Sequence, residues 1–203
     1  MRKGFKYIAG IDEAGRGPLA GPLVAAAVIL HRSISKSPFI NLIRDSKTLS
    51  ERQREQARQV IEAHAQSIGV GISSSEFIDQ HGIMSATTSA MNEAVAKLSI
   101  TPNFLLIDAV NLKDNPVPSN SFIKGDSRCL SIAAASIIAK TTRDSIMQRV
   151  DKIYPLYGFS QNKGYGTQKH LDILKQLGPS PMHRTSFAPV KILLSTTTNT
   201  SSA

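Results

Sequence analysis

Cysteine is nearly absent from this chain. Among 203 residues only Cys129 carries a thiol, which excludes an internal disulfide and any Cys-rich zinc site; it is expected to pack as a small hydrophobe in a helix. The five histidines, His31, His64, His81, His170 and His183, show no ligand spacing, so no zinc is assigned. No Gly-x-Ser-x-Gly elbow and no Walker loop is present. No apolar run approaches the roughly 20 residues that span a bilayer, and the basic N-terminus meets a glycine and two acids before a signal-length apolar region develops. Cytoplasm is the expected location. Acidic residues are the scarcer charge, 15 against 24 Lys and Arg, for a formal net charge of +9. That excess points to a polyanionic partner, nucleic acid first, with a basic soluble enzyme lacking such a partner as the alternative.

What is present suits one large soluble domain: 41% hydrophobic and 19% charged residues, no internal repeat and no linker. Residues 1–194 are read as that domain, and the Ser/Thr-rich residues 195–203 as a disordered tail. Apolar patterning predicts strands at 6–12 and 23–30. Pro18, Gly21 and Pro22 rule out a helix between them and favour an antiparallel pair. Residues 31–41 read as a polar loop. A helix is predicted from Ser50, at capping-box spacing with Gln53, to about Ser67, then a short strand over 68–73 and helices near 75–80 and 84–98. Strands at 104–108 and 121–124, helices at 129–153 and 167–177, complete the pattern. The class is α/β, a mixed β-sheet flanked by helices with a C-terminal helical segment.

The chemistry gathers where apolar strands end on acids: Asp12 and Glu13, Asp108, and Asp126. Sites in open α/β sheets form at strand ends, and carboxylates converging there repel one another unless cations neutralise them. Hard oxygen donors select Mg²⁺ or Mn²⁺. Each acid alone also reads as a turn or cap residue; Asp126, just before a helix, is the best candidate for that. Consecutive strand residues face opposite ways, so Asp12 and Glu13 aim at one metal only if the strand has ended or kinked. Glu13 is therefore the weaker candidate for side-chain ligation.

Gly15-Arg16-Gly17 allows close backbone approach to a sugar or phosphate; as a dinucleotide fingerprint it fails, because a strand follows it rather than a helix. Lys47 brings a cation near a helix start, or is simply a solvated loop lysine. Asn162-Lys163-Gly164-Tyr165-Gly166-Thr167 sets an aromatic between glycines beside a lysine, a loop suited to stacking on a sugar or base. His183-Arg184 and Lys191 add late positive charge.

Taken together, GIDEAGRGPLAGPLVAAAVIL, DSKTLS at 45–50, LLID at 105–108, KGDSRCLSIAAASIIAKTTRD at 124–144, KGYGT at 163–167 and HRTSFAPVK at 183–191 resemble bacterial ribonuclease HII in order and over nearly the whole chain. The resemblance implies a ribonuclease H-like fold. It implies an endonuclease that hydrolyses the RNA strand of RNA–DNA hybrids and nicks 5′ of single ribonucleotides in duplex DNA, with two divalent ions and 5′-phosphate and 3′-hydroxyl products. It assigns metal binding and catalysis to Asp12, Glu13, Asp108 and Asp126, reading of the ribose 2′-hydroxyl to Gly15, Arg16 and Gly17, and stacking at the RNA–DNA junction to Tyr165. Lys47 and Arg184 are expected to bind substrate, and Asp144, four residues after Lys140, to be structural. The expected partners are hybrid and ribonucleotide-containing duplex, with the protein a monomer. Two departures stand out. Ala109 follows Asp108 where the family commonly has glycine, and the tail after Leu194 has no aromatic motif for a replication clamp. No N-terminal substrate-binding domain of the related type 3 enzymes is expected. A DNA-directed metal nuclease on the same fold and a non-catalytic nucleic-acid-binding module are the rival classes; Gly15-Arg16-Gly17 with Tyr165 opposes the first and four retained acids oppose the second.

Overall fold

The computed structural model describes residues 4–38 and 40–200. Five strands form one sheet in the order β3-β2-β1-β4-β5. Strand β1 (Ile8–Ala14) pairs antiparallel with β2 (Leu23–Leu30) and parallel with β4 (Phe104–Asp108). Strand β3 (Ala65–Ser73) adds antiparallel to β2, and β5 (Ser119–Phe122) parallel to β4. The sheet is mixed, as expected.

The two faces follow the period-2 alternation of the strands. Ala9, Ile11, Leu23, Ala25, Ala27 and Ile29 pack with helix α2 (Ser75–Ala96). Ala26 and Val28 face the opposite way, into a core with α1 (Glu51–His64) and α3 (Leu130–Ile153). Small residues set the spacing. An added Cβ at Gly10 would run into the Ser131 backbone, and one at Gly71 into the Ala90 carbonyl, so both main helices lie close against the strands. Truncating a buried isoleucine such as Ile61 would cost about 2–5 kcal/mol.

Several boundaries move for tertiary reasons. Strand β1 begins and ends two residues later than predicted, because pairing with β2 continues to Ala14 opposite Val24. Helix α1 carries the Ser50–Gln53 capping box but stops at His64; Ala65 and Ser67 are taken into β3 opposite Leu30 and Ile29. Gly82, at φ 79°, breaks the helical path of α2 where two helices were predicted. The polar loop at 31–41 contains 3₁₀ turns at Arg32–Lys36 and Ile40–Leu42; its residue 39 lies outside the described residues. Cys129 caps α3 instead of packing within it.

The C-terminal part adds a short helix α4 (Phe159–Asn162), α5 (Gln168–Leu177) and α6 (Ala188–Thr200). Helix α6 runs to Thr200, across residues 195–200 of the segment read from sequence as a tail. Val190 is buried with Leu19 and Leu174. The hydroxyls of Ser195 and Thr196 donate back to the carbonyls of Lys191 and Ile192 four residues earlier, which satisfies these polar groups within the helix. Residues 201–203 lie outside the described residues.

Candidate metal centre and nucleic-acid interface

Parallel pairing of β1, β4 and β5 brings their C-terminal ends to one edge, and the acids stand there. Asp12 and Glu13 lie near the end of β1, and Asp108 closes β4. Asp126 sits in the 3₁₀ turn Gly125–Ser127 after β5. The Gly125 amide donates to Asp108 Oδ1 at 2.7 Å, tying that turn to β4. Burial, then the charges of Glu13 and Asp108, hold the Asp12 carboxyl well above its usual 3.8, against a bond from the Ser136 hydroxyl and the Glu13 amide. Glu13 is raised by burial and by Asp108, while Arg16 and Lys47 pull it down. Asp126 is raised by burial and by Asp45 and Asp108, with Lys47 opposing. Asp108 is thus the hub, since its charge reaches the other three.

The strand does not end or kink between Asp12 and Glu13. Asp12 points to the α3 face, where Ser136 is bonded to Ser46 at 3.0 Å. Glu13 points to the α2 face, 3.5 Å from Arg16, whose other nitrogen reaches Met84 of α2. The four acids are therefore a looser set than a closed cage: among the described residues, no three Asp, Glu, His or Cys side chains are gathered tightly enough to hold a metal. The donor set nevertheless fits hard cations. Glu13 Oε2 is buried without a hydrogen-bond partner among the described residues, a costly arrangement, and every acid offers oxygen alone.

Beside the acids, the chain turns at Gly15, φ 101°, where a Cβ would strike the Arg143 guanidinium. Among the described residues nothing crowds Gly17, and Arg16 is exposed. Two buried arginines hold this segment from below. Arg143 donates to the carbonyls of Pro22, Ala20 and Lys163. Arg184 donates to those of Gly15, Arg16 and Gly21. Gly164, φ 83°, lies so close to the Ala20 carbonyl that no side chain fits, and its own carbonyl accepts from the amide of Leu19. Tyr165 follows, 44% exposed, with Lys140 and Arg143 each 5.9 Å from its ring centre. Lys140 is bonded to Asp144 at 2.8 Å.

The comparisons agree with one another. The family model described as ribonuclease HII matches residues 9–190. The chain is 53% identical over 192 residues to a protein named ribonuclease HII from a strain of Bacillus cereus, covering 95% of this chain and 73% of that one. It is 51% identical over 186 residues to the ribonuclease HII of Acetivibrio thermocellus, covering 92% and 71%. The chain belongs to the ribonuclease HII family. Its fold matches the ribonuclease H2 of Pyrococcus horikoshii at a TM-score of 0.79 and 25% identity, over 94% of this chain and 98% of that one.

The residues singled out from sequence divide into three groups. Asp12, Glu13, Asp108 and Asp126 share an electrostatic neighbourhood. Lys47 is exposed and close enough to lower Glu13 and Asp126, and Arg16 and Tyr165 are exposed. Arg184 is different: its head is fully buried and donates to backbone carbonyls, away from the exposed face where a direct substrate contact is expected. It positions the Gly15-Arg16-Gly17 segment instead. Arg143, Ser136, Asp45, His170 and His183 escaped notice as site-building residues. Arg143 left a signal, because it lies with Ser136, Ala139, Met147 and Val150 on one buried stripe of α3, and a charge on such a stripe demands partners.

Proposed function

We propose that the chain is a metal-dependent endonuclease that hydrolyses the RNA strand of RNA–DNA hybrids and nicks 5′ of single ribonucleotides embedded in duplex DNA, leaving 5′-phosphate and 3′-hydroxyl ends. The observation that carries this reading is the set of buried and half-buried acids at the ends of β1 and β4, with a Glu13 oxygen that has no hydrogen-bond partner among the described residues, beside the exposed Arg16 and Gly17. Asp12, Glu13, Asp108 and Asp126 would hold two divalent cations, Mg²⁺ or Mn²⁺. When bound, such ions activate water for in-line attack and stabilise the departing 3′ oxygen.

The chain's own residues do the rest. Gly17 leaves room for a ribose against the backbone, so that a 2′-hydroxyl can be read by close approach. Arg16 and Lys47 offer cations to the phosphates, and Lys47 keeps Glu13 and Asp126 toward their charged forms. The Tyr165 ring stacks on the sugar beyond the scissile bond and senses the RNA–DNA junction. The +9 charge attracts the duplex. Among the described residues, no helix is long and apolar enough to cross a membrane, and the reading includes action as a monomer in the cytoplasm.

The test is a labelled duplex carrying a lone ribonucleotide, incubated with Mg²⁺, Mn²⁺ or chelator, beside an all-DNA control. One nick 5′ of the ribonucleotide, with metal only, is expected. Cutting of the all-DNA duplex, or turnover in chelator, would overturn the reading.

A further inference from the structure

Beneath the Tyr165 loop lie two histidines with no part in the chemistry above. His170, in α5, and His183 are both buried, with their Nε2 atoms 3.0 Å apart. Each end of the pair dictates its own tautomer. The Ser180 amide donates to His183 Nδ1 at 3.0 Å; an amide can only donate, so that nitrogen carries a lone pair and the His183 proton sits on Nε2. At the other end, His170 Nδ1 lies 2.8 Å from the Tyr165 carbonyl; a carbonyl can only accept, so His170 is protonated on Nδ1 and offers a lone pair at Nε2. The two assignments, made independently, mesh. A proton-ordered line runs from the Ser180 amide through His183 and His170 to the Tyr165 carbonyl.

The line connects the two substrate-reading segments. His183 is bridged to Ala20, and its neighbours are fastened to the same segment: the Gly21 amide donates to the Met182 carbonyl and the Arg184 amide to the Leu19 carbonyl, both at 2.8 Å. On the other side, the carbonyls of Lys163, Gly164 and Tyr165 are all engaged, by Arg143, Leu19 and His170 respectively. The histidine rings are boxed by Tyr157 and Phe159, with ring centres 5.0–5.6 Å away. Both must stay neutral for the line to hold, because an added proton would set N–H against N–H. Burial favours this, lowering His170 and pushing His183 down to about 4.

We propose that His183 and His170 are positioning residues that set the Tyr165 loop against the Gly15-Arg16-Gly17 segment, and so determine how strongly the enzyme favours an isolated ribonucleotide over a long hybrid. This rests on the proposed junction-sensing role of Tyr165. Neither histidine touches the reacting atoms.

The experiment compares kcat/KM on a lone-ribonucleotide duplex with that on a long RNA–DNA hybrid, for the parent, Tyr165→Ala, His170→Phe and His170→Asn. Phenylalanine fills the ring's space without donating; asparagine keeps a donor near the Nδ1 position. His170→Phe is expected to lower the substrate ratio by about tenfold, within what a small displacement of a positioned group costs, and His170→Asn to restore most of it. Imidazole ¹⁵N NMR of the parent should show His170 protonated on Nδ1 and His183 on Nε2. If Tyr165→Ala shifts the ratio while His170→Phe lowers both substrates equally or neither, the relay is refuted alone. If Tyr165→Ala leaves the ratio unchanged, the junction-sensing reading fails and the relay's purpose with it. The opposite tautomers in the NMR spectrum would overturn the relay even if a phenylalanine variant failed to fold.

Discussion

Two charged clusters flank the 15–22 segment, and they are buried on opposite terms. Arg143 and Arg184 lie fully enclosed and, among the described residues, no carboxylate is bonded to either, yet six backbone carbonyls accept from them. Burial, then the like charge of Arg143, push Arg184 down to about 9, which leaves it charged at neutral pH. The acids on the other side are enclosed without that provision. Asp12 and Glu13 are raised by burial, and one Glu13 oxygen has no hydrogen-bond partner among the described residues. A guanidinium carries five donors in a fixed fork and can be completed by the fold itself; a bare carboxylate needs donors or cations. The fold itself completes the hydrogen bonds of the arginines and leaves those of the acids incomplete.

The largest effect tests the acid side. Asp12→Asn should lower cleavage by about 10³-fold or more, the scale on which charge-stabilising groups act, while hybrid binding persists. In chelator the same variant should melt about 2–4 °C higher, the shift that ~1 kcal/mol gives a domain of this size. A variant that cleaves normally, or melts lower in chelator, would erase the contrast. The arginine side predicts the reverse sign. Arg184→Met strands the carbonyls of Gly15, Arg16 and Gly21 and should cost about 3–5 kcal/mol in denaturant unfolding, since a buried group left unpaired costs ~1–3 kcal/mol. A loss under about 1 kcal/mol would show those bonds to be replaceable by water.

Acidity separates the two sides next. A carboxyl raised in the fold contributes stability that is present below its unfolded value, 3.8 for Asp12, and lost as pH rises through the raised value. The stability advantage of Asp12→Asn in chelator should therefore be absent below pH 3.8 and widen above it. His183 runs the other way. Lowered from 6.5 to about 4, it contributes stability present above pH 6.5 and lost as pH falls toward 4, so acid unfolding should take up an extra proton that His183→Phe does not. Urea unfolding across that range measures both.

The smallest effect sharpens the acid side again. Ala109, just after Asp108, is held at φ 50° with its amide bonded to the Phe122 carbonyl. An alanine there is strained by about 1–2 kcal/mol, so Ala109→Gly should stabilise by roughly 0.5–1 kcal/mol, part of the relief being offset by unfolded-chain entropy. Activity should change little. A destabilised Ala109→Gly would mean that the Asp108 turn is relaxed as it stands.

Much of the site was legible before any coordinates. Strand-then-acid patterns located Asp12, Glu13 and Asp108, and the Ser50–Gln53 spacing located the start of α1. Alternation and helical stripes are local, and local rules report them well. Other features depend on partners far along the chain. Residues 65–67 continue a helical pattern but are claimed by β2. The 195–200 segment reads as a polar tail, yet it extends a helix anchored at Val190. Arg184 reads as a substrate-binding residue because arginines usually stay at the surface; its carbonyl partners lie more than 160 residues away.

Sequence alone determined the family, the α/β class, and which side chains bring charge to the strand ends, because those depend on residue type and near-neighbour spacing. Tertiary structure decided what each charge is for. Asp12 and Glu13 diverge because β1 stays paired through Ala14, and Arg184 became scaffold because carbonyls from a distant turn complete its hydrogen bonds. Whether a buried charge is satisfied depends on which backbone groups the fold brings to it, and that cannot be read from its neighbours in the chain.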